Sequence, residues 1–172
     1  MHDLQRTANL LGATALAVAD LSLTGPCAAV GVSASGAAAL VVLSASGPLG
    51  ATELGRRVGL SQPAAARMVD SLEQAGLVER RRRTARSVPV ALTAAGERAA
   101  ARVLAERGGP LADVVTALDH DERAALSTLL GKLLTRLYAE VGDAELMCRL
   151  CDRARCVQDA VCPVGQAERE AV

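Results

Sequence analysis

Residues 50–96 read GATELGRRVGLSQPAAARMVDSLEQAGLVERRRRTARSVPVALTAAG, and within them the hydrophobic period changes from helical to alternating. Up to Gly76, apolar residues recur at spacings of three and four. Thr52 can cap a short helix running through Val58, with Gly59 as its stop. Ser61 can cap the next, with Pro63 in its first turn and Gly76 as its stop. Beyond Gly76, LVERR and SVPVALT read as two strands, with Val88, Val90 and Leu92 on one face and an arginine-rich turn between them. Pro89 has no N–H to give to a ladder, which predicts an edge position for its strand.

Two short helices joined at Gly-Leu-Ser and followed by a hairpin describe a winged helix-turn-helix. Leu54 and Val58 on the first helix and Ala65, Val69 and Leu72 on the second are spaced to form one small core. Gly55 falls where the helices cross, and a larger side chain there would push them apart. Facing outward on the second helix, residues 61–75, are Ser61, Gln62, Ala66, Arg67 and Ser71. A face of small residues with a few long polar ones enters a major groove without steric conflict. On the wing, residues 80–86, Arg80, Arg81, Arg82, Arg83 and Arg86 concentrate five guanidinium groups. A narrow minor groove attracts arginine by its negative potential. An arginine run in isolation reads as a solvated surface; directly after a helix-turn-helix it reads as part of a DNA-binding face.

The whole chain is consistent with this centre. Its 172 residues make one ordinary domain. With no Trp, no Phe and a single Tyr138, the core must come from Ala, Leu and Val, which favours a mainly α fold. Acids and bases balance at 19 each, yet Thr52–Arg102 holds ten arginines against five acids. One basic face therefore sits on an otherwise acidic body. The longest unbroken apolar run, Ala37 to Leu43, is far shorter than a bilayer crossing, so no membrane partner is expected. Asn9 and Asp20 interrupt the apolar stretch after Arg6, which fits a signal peptide poorly. The expected location is the cytoplasm, where thiols stay reduced.

Around the winged helix the periodicity predicts further helices. One spans roughly residues 3–22, with Leu4, Leu11, Ala15 and Val18 on one stripe, closed by Gly25-Pro26. A second covers about residues 28–44. A third runs from Ala94 to about Arg107, where Gly108-Gly109-Pro110 breaks it. The last runs from about Asp119 to Val141 and carries a leucine stripe that includes Leu126, Leu130, Leu133 and Leu137. The small winged-helix core cannot cover the stripes of the first and last helices, so a second protomer is expected to do so.

The run from Leu49 to Gly96, above all ELGRRVGLSQPAAARMVDSLEQAGLVERR and the closing VALTAAG, resembles the winged helix of the multiple-antibiotic-resistance regulator (MarR) family. The flanking helices resemble that family's architecture as well, over about residues 1–145. The resemblance implies a homodimer whose first and last helices form a dimerisation layer. It implies recognition helices on two half-sites of a pseudo-palindromic operator, wings in the flanking minor grooves, and most often repression relieved by a small-molecule effector. It places Ser61, Gln62 and Arg67 at the major groove and Arg86, seven residues before Thr93, at the wing tip. The tip departs from the family pattern, because Thr84 and Ala85 replace the usual acidic and basic residues before that arginine. The chain then divides into N-terminal helices (1–48), winged helix (49–96), C-terminal helices (97–145) and a cysteine-rich tail (146–172).

Four of the five cysteines lie in that tail, as Cys148, Cys151, Cys156 and Cys162, with spacing C-x2-C-x4-C-x5-C. In a reducing compartment clustered thiols point first to metal. The spacing approaches a zinc knuckle, and four thiolates complete a tetrahedral zinc site. The same ligands suit an iron–sulfur cluster, and Cys162-Pro163 is similar to the Cys-Pro that ends some ferredoxin runs. A redox-sensing thiol switch with reversible disulfides and chemically silent cysteines are the other readings. Arg149, Arg153 and Arg155 would offset thiolate charge, and Cys148 and Cys151 would share a helical face at the end of the last helix. Cys27 falls at the start of the second helix as a small buried residue. No glycine-rich phosphate loop, nucleophile elbow or His-Glu metal motif is present, so a regulator is expected and not an enzyme. The competing reading is a zinc-binding interaction module that uses the winged helix for protein contacts.

Overall fold

The computed structural model describes residues 2–81 and 88–171. The elements run α1 (His2–Val30), α2 (Ala34–Ser46), β1 (Leu49–Gly50), α3 (Ala51–Arg57), α4 (Gln62–Gln74), β2 (Val78–Arg80), β3 (Pro89–Leu92), α5 (Ala94–Val115), α6 (His120–Val141), α7 (Ala144–Met147), α8 (Arg153–Cys156) and α9 (Pro163–Glu170). The fold is mainly α, with a small antiparallel sheet, as the composition requires.

Helix α2 is the hub. Ala37 through Leu43 are all buried, because the helix is covered on both sides. Its Ala38, Leu40 and Val42 join Leu54, Val69, Leu72 and Val90 in the winged-helix core, while Ala37 and Val41 meet Val103 of α5. Full burial of a seven-residue apolar run accounts for a stretch that has no amphipathic period of its own.

Several local readings of the sequence are corrected. The sheet order is β1-β3-β2, so the strand holding Pro89 is central and not at an edge. Leu49 pairs with Val90 on one side, and Val78 with Leu92 on the other. Pro89 is tolerated because it is the first residue of its strand, its carbonyl still accepts the Arg81 N–H at 2.8 Å, and β1 is only two residues long. Helix α1 runs through Gly25-Pro26 to Val30, and α5 runs through Gly108-Gly109-Pro110 to Val115. A proline removes one helical hydrogen bond, and here α1 and α5 pack along each other so that tertiary contact carries the helices past it. Pro26 itself is fully buried. Because α1 continues to Gly31 (φ +67°), α2 begins at Ala34, where the Ser33 hydroxyl accepts the Gly36 N–H at 3.1 Å. Cys27 consequently lies near the end of α1 and not at a helix start. Thr52 likewise falls in the first turn of α3, whose N-cap is Gly50.

Helix α6 begins with a reciprocal capping box between Asp119 and Glu122 and buries none of its residues. Leu129, Leu130, Leu133 and Leu137 on α6 are exposed, as are Leu4, Leu10, Leu11 and Leu16 on α1. By length and composition α1 could cross a membrane, contrary to the reading from unbroken apolar runs, with a mean hydropathy of 1.4 over its most apolar window. It carries Asp3, Arg6 and Asp20, and it packs on α5.

Candidate nucleic-acid interface and cysteine-rich tail

The crossing of α3 and α4 is as close as the sequence predicts. A Cβ added at Gly55 would lie 2.4 Å from the Cβ of Ala65, which no ordinary packing permits. Leu54, Val58, Ala65, Val69 and Leu72 are all buried at this crossing, joined by Met68. Gly96 is a second close approach, because a Cβ there would lie 1.9 Å from the Leu77 carbonyl oxygen. Thr93 locks this joint: its hydroxyl donates to the Gly76 carbonyl at 2.7 Å and accepts the Gly96 N–H at 3.1 Å. The base of the wing is thereby fixed to the end of α4.

Ser61, Gln62, Ala66, Arg67 and Ser71 all lie on the exposed face of α4. The Ser61 side chain makes no capping bond, so its hydroxyl is available to a partner, and Arg67 has no ion-pair partner among the described residues. Arg80 is different. It is paired with Asp70 at 2.6 Å and with Glu73, both on α4, and these partners raise its pKa above the usual arginine value. In this structure it ties β2 to α4. Arg81 is exposed and pairs with Glu79 at 3.3 Å. Arg82, Arg83 and Arg86 lie outside the described residues.

The sequence reading missed the two arginines of α3. Arg56 bonds Glu53 at 2.9 Å and reaches Asp143 at 2.9 Å. Arg57 bonds Glu53 at 2.7 Å and Glu145 at 3.4 Å. Hydrogen bonds from Arg56 first and Arg57 second hold the Glu53 carboxyl down to about 2. The Glu-x-x-Arg-Arg spacing signals the pairing within α3. Nothing in the sequence signals the partners in the tail. Leu146 adds an apolar contact there, 3.0 Å from the Cβ position of Gly59. The tail is thus fastened to the helix that supports α4.

In that tail Cys148 caps α7 and sits in a turn closed by the Cys151 N–H to the Cys148 carbonyl at 3.0 Å. The two cysteines therefore share a turn and not a helical face, because Gly142 (φ +66°) has already ended α6. All five cysteines are free thiols. The Cys148 thiol donates to Cys151, which with the charges of Arg107 and Arg153 lowers Cys151 to about 6, while the same bond and burial push Cys148 up. Burial, and then the neighbouring Cys162 and Cys151, push the Cys156 thiol up. Cys162 is the N-cap of α9 and accepts the Gly165 N–H at 3.5 Å. Cys148, Cys151, Cys156 and Cys162 line one cavity of about 190 Å³ together with Glu145 and Arg153. Among the three arginines expected to offset thiolate charge, Arg153 faces this cavity and pairs with Glu145; Arg149 donates to the Leu146 carbonyl and Arg155 pairs with Asp152.

A second cavity, of about 200 Å³, lies between α1, α5 and the tail and is lined by Ser22, Leu23, Arg107, Met147 and Leu150. The Ser22 hydroxyl and the Arg107 Nε are buried there without a hydrogen-bond partner among the described residues.

Residues 32–85 match the family model described as MarR family. The segment that holds α3 and α4 is thus similar to the MarR family. Solved structures extend the likeness to the MarR fold as a whole. The YusO protein from Bacillus subtilis is 26% identical, with a TM-score of 0.66 over 77% of this chain and 96% of that one. A MarR family protein from Bacillus stearothermophilus, 24% identical, shares the fold with a TM-score of 0.70 over 79% and 96% of the two chains. The MarR family protein Rv2887 of Mycobacterium tuberculosis is 27% identical, with a TM-score of 0.59 over 73% and 95%, and was solved in complex with DNA. It was also solved with p-aminosalicylic acid. No curated protein matches the chain by sequence.

Proposed function

We propose that this chain is a sequence-specific, DNA-binding transcriptional regulator that acts as a cytoplasmic homodimer and represses its target. The observation that carries the reading is the outward face of α4. Ser61, Gln62, Ala66, Arg67 and Ser71 stand free on a helix whose opposite side is fixed by the Gly55–Ala65 crossing. Such a face lies along a major groove, with Arg67 as the side chain long enough to read a guanine edge. Rv2887, a relative by fold and sequence, has been solved with DNA, which supports the same use here.

The exposed leucines of α1 and α6 support the dimer. Within one chain α1 packs on α5 and α6 on α9, so the two stripes do not cover each other. A partner protomer removes both from water. Release from DNA is assigned to the tail, through metal or redox chemistry at its cysteines, or to a ligand in the cavity holding Ser22 and Arg107. The ion pairs of Arg56 and Arg57 give the tail a direct hold on α3.

The test is selection of bound duplexes from a random-sequence pool with the full chain. The expected product is a two-fold symmetric sequence with half-sites about 10 base pairs apart. Enrichment of no sequence, together with capture of a protein partner, would favour the interaction-module reading.

A further inference from the structure

We propose that α7, at the junction of α6 and the tail, is a strut between α6 and the helix-turn-helix, and that Asp143, Glu145 and Leu146 are positioning residues that set the half-site spacing the dimer accepts. Helix α6 buries none of its residues, and the elements that pack on it most extensively are α7 and α9. Gly142 (φ +66°) ends α6 and turns the chain directly into α7. There Asp143 uses its two oxygens for separate tasks. Oδ1 accepts the Leu146 N–H at 2.9 Å and caps α7, while Oδ2 accepts from Arg56 of α3 at 2.9 Å. Glu145 accepts from Arg57 of α3 at 3.4 Å and also from Arg153 of α8. Leu146 reaches the turn between α3 and α4, 3.0 Å from the Cβ position of Gly59. Ala144, between the two carboxylates in sequence, is buried.

An exposed ion pair by itself holds little. Here Glu53, Arg56, Arg57, Asp143, Glu145 and Arg153 form one connected network, reinforced by the Leu146 contact. Helix α9 packs on both α6 and α7 and buries Val164 and Ala167. Backed in this way, α7 cannot move far without moving α3. The close crossing at Gly55 and Ala65 carries any displacement of α3 to α4. One base pair of added spacer moves a half-site by about 3.4 Å and turns it by about 35° around the duplex axis. A dimer whose helix-turn-helix units are braced against α6 rejects that change, and one without the brace follows it. The role in spacing rests on the DNA-binding homodimer proposed above; the brace itself does not.

The test compares the full chain with the triple variant Asp143→Asn, Glu145→Gln, Leu146→Ala, in which asparagine keeps the cap of α7. Amide hydrogen exchange of the free protein reads the brace. Residues 51–60 should exchange faster in the variant, while α5 is unchanged and shows that the fold is kept. Binding is then measured to a single half-site and to the selected duplex with its spacer lengthened or shortened by one base pair. The wild type should lose at least about tenfold on either change of spacer, and the variant about threefold or less. Affinity for the single half-site should stay the same. Unchanged exchange in residues 51–60 would overturn the brace. A spacing preference equal in both proteins, or a loss at the half-site as large as at the full duplex, would overturn the positioning role. A wild type that prefers no duplex would end the DNA-binding reading and the spacing role with it, and the exchange result would still decide the brace.

Discussion

Replacing Gly55 with alanine tests whether the α3–α4 crossing sets the position of the recognition helix. The new methyl would start 2.4 Å from the Ala65 Cβ, against an ordinary carbon–carbon contact of about 3.5–4.0 Å. Both atoms are fixed to backbone, so the shortfall of about 1 to 1.5 Å must be met by moving one helix. Overpacking of this kind costs about 1–3 kcal/mol, and the better helix propensity of alanine returns about 1 kcal/mol. The expected net loss is about 0–2 kcal/mol, which for a chain of this size lowers the melting temperature by at most roughly 8 °C. The decisive variant is the exchange Gly55→Ala with Ala65→Gly. It moves the methyl from one helix to the other, and the nearest remaining atoms, the Leu60 carbonyl oxygen at 3.6 Å and the residue 65 Cα at 3.7 Å, are at normal contact. Urea unfolding of the two single variants and the double variant gives the coupling energy. The exchange should be no less stable than Ala65→Gly alone, a favourable coupling of at least ~1 kcal/mol. Simple additivity would show that the two positions do not touch, and the account of the crossing would fail.

Other expectations follow from the same geometry. Glu53 has a folded pKa of about 2 against an ordinary 4.5, so its pairing stabilises the protein above about pH 4.5 and is lost as pH falls toward 2. Glu53→Gln should therefore narrow the difference in urea stability between neutral pH and pH 3; an unchanged difference would remove Glu53 from the acid response. Leu130→Glu with Leu133→Glu should leave helicity intact and yield a monomer by sedimentation, and a dimer of wild-type strength would place the interface elsewhere. Arg80→Ala releases Asp70 and Glu73 beside the recognition face, so DNA affinity should fall at low salt with little loss of fold, and an unchanged affinity would show that the tie to β2 does not matter.

The winged helix was legible because its constraints are local. Gly55, the buried set from Leu54 to Leu72 and the alternating strands each leave a mark within a few residues. The sequence misled where tertiary contact overrides local rules. Pro26 and Pro110 look like helix ends, yet α1 and α5 support each other past them. Pro89 looks like an edge residue, but the two-residue strand β1 is too short to leave a periodic signal. Arg80 reads as one more wing cation, and only the fold shows that Asp70 and Glu73 come up beside it. Convergence of the tail cysteines was readable from their spacing, whereas the open space between them and the hold of Asp143 and Glu145 on α3 depend on how the tail folds back.

The most direct test of the central claim is equilibrium binding of the full chain to its selected duplex and to a scrambled duplex across a range of salt. A regulator that neutralises phosphates with arginine should lose roughly 10³–10⁵ in affinity between about 50 and 200 mM salt if it makes six to ten phosphate contacts, and should prefer the selected sequence throughout. Arg67→Ala should weaken the selected duplex by about 1–3 kcal/mol and relax the preference at one base position in each half-site. An affinity that is flat in salt, or equal for selected and scrambled duplexes, would contradict the reading of this winged helix as a DNA-binding surface.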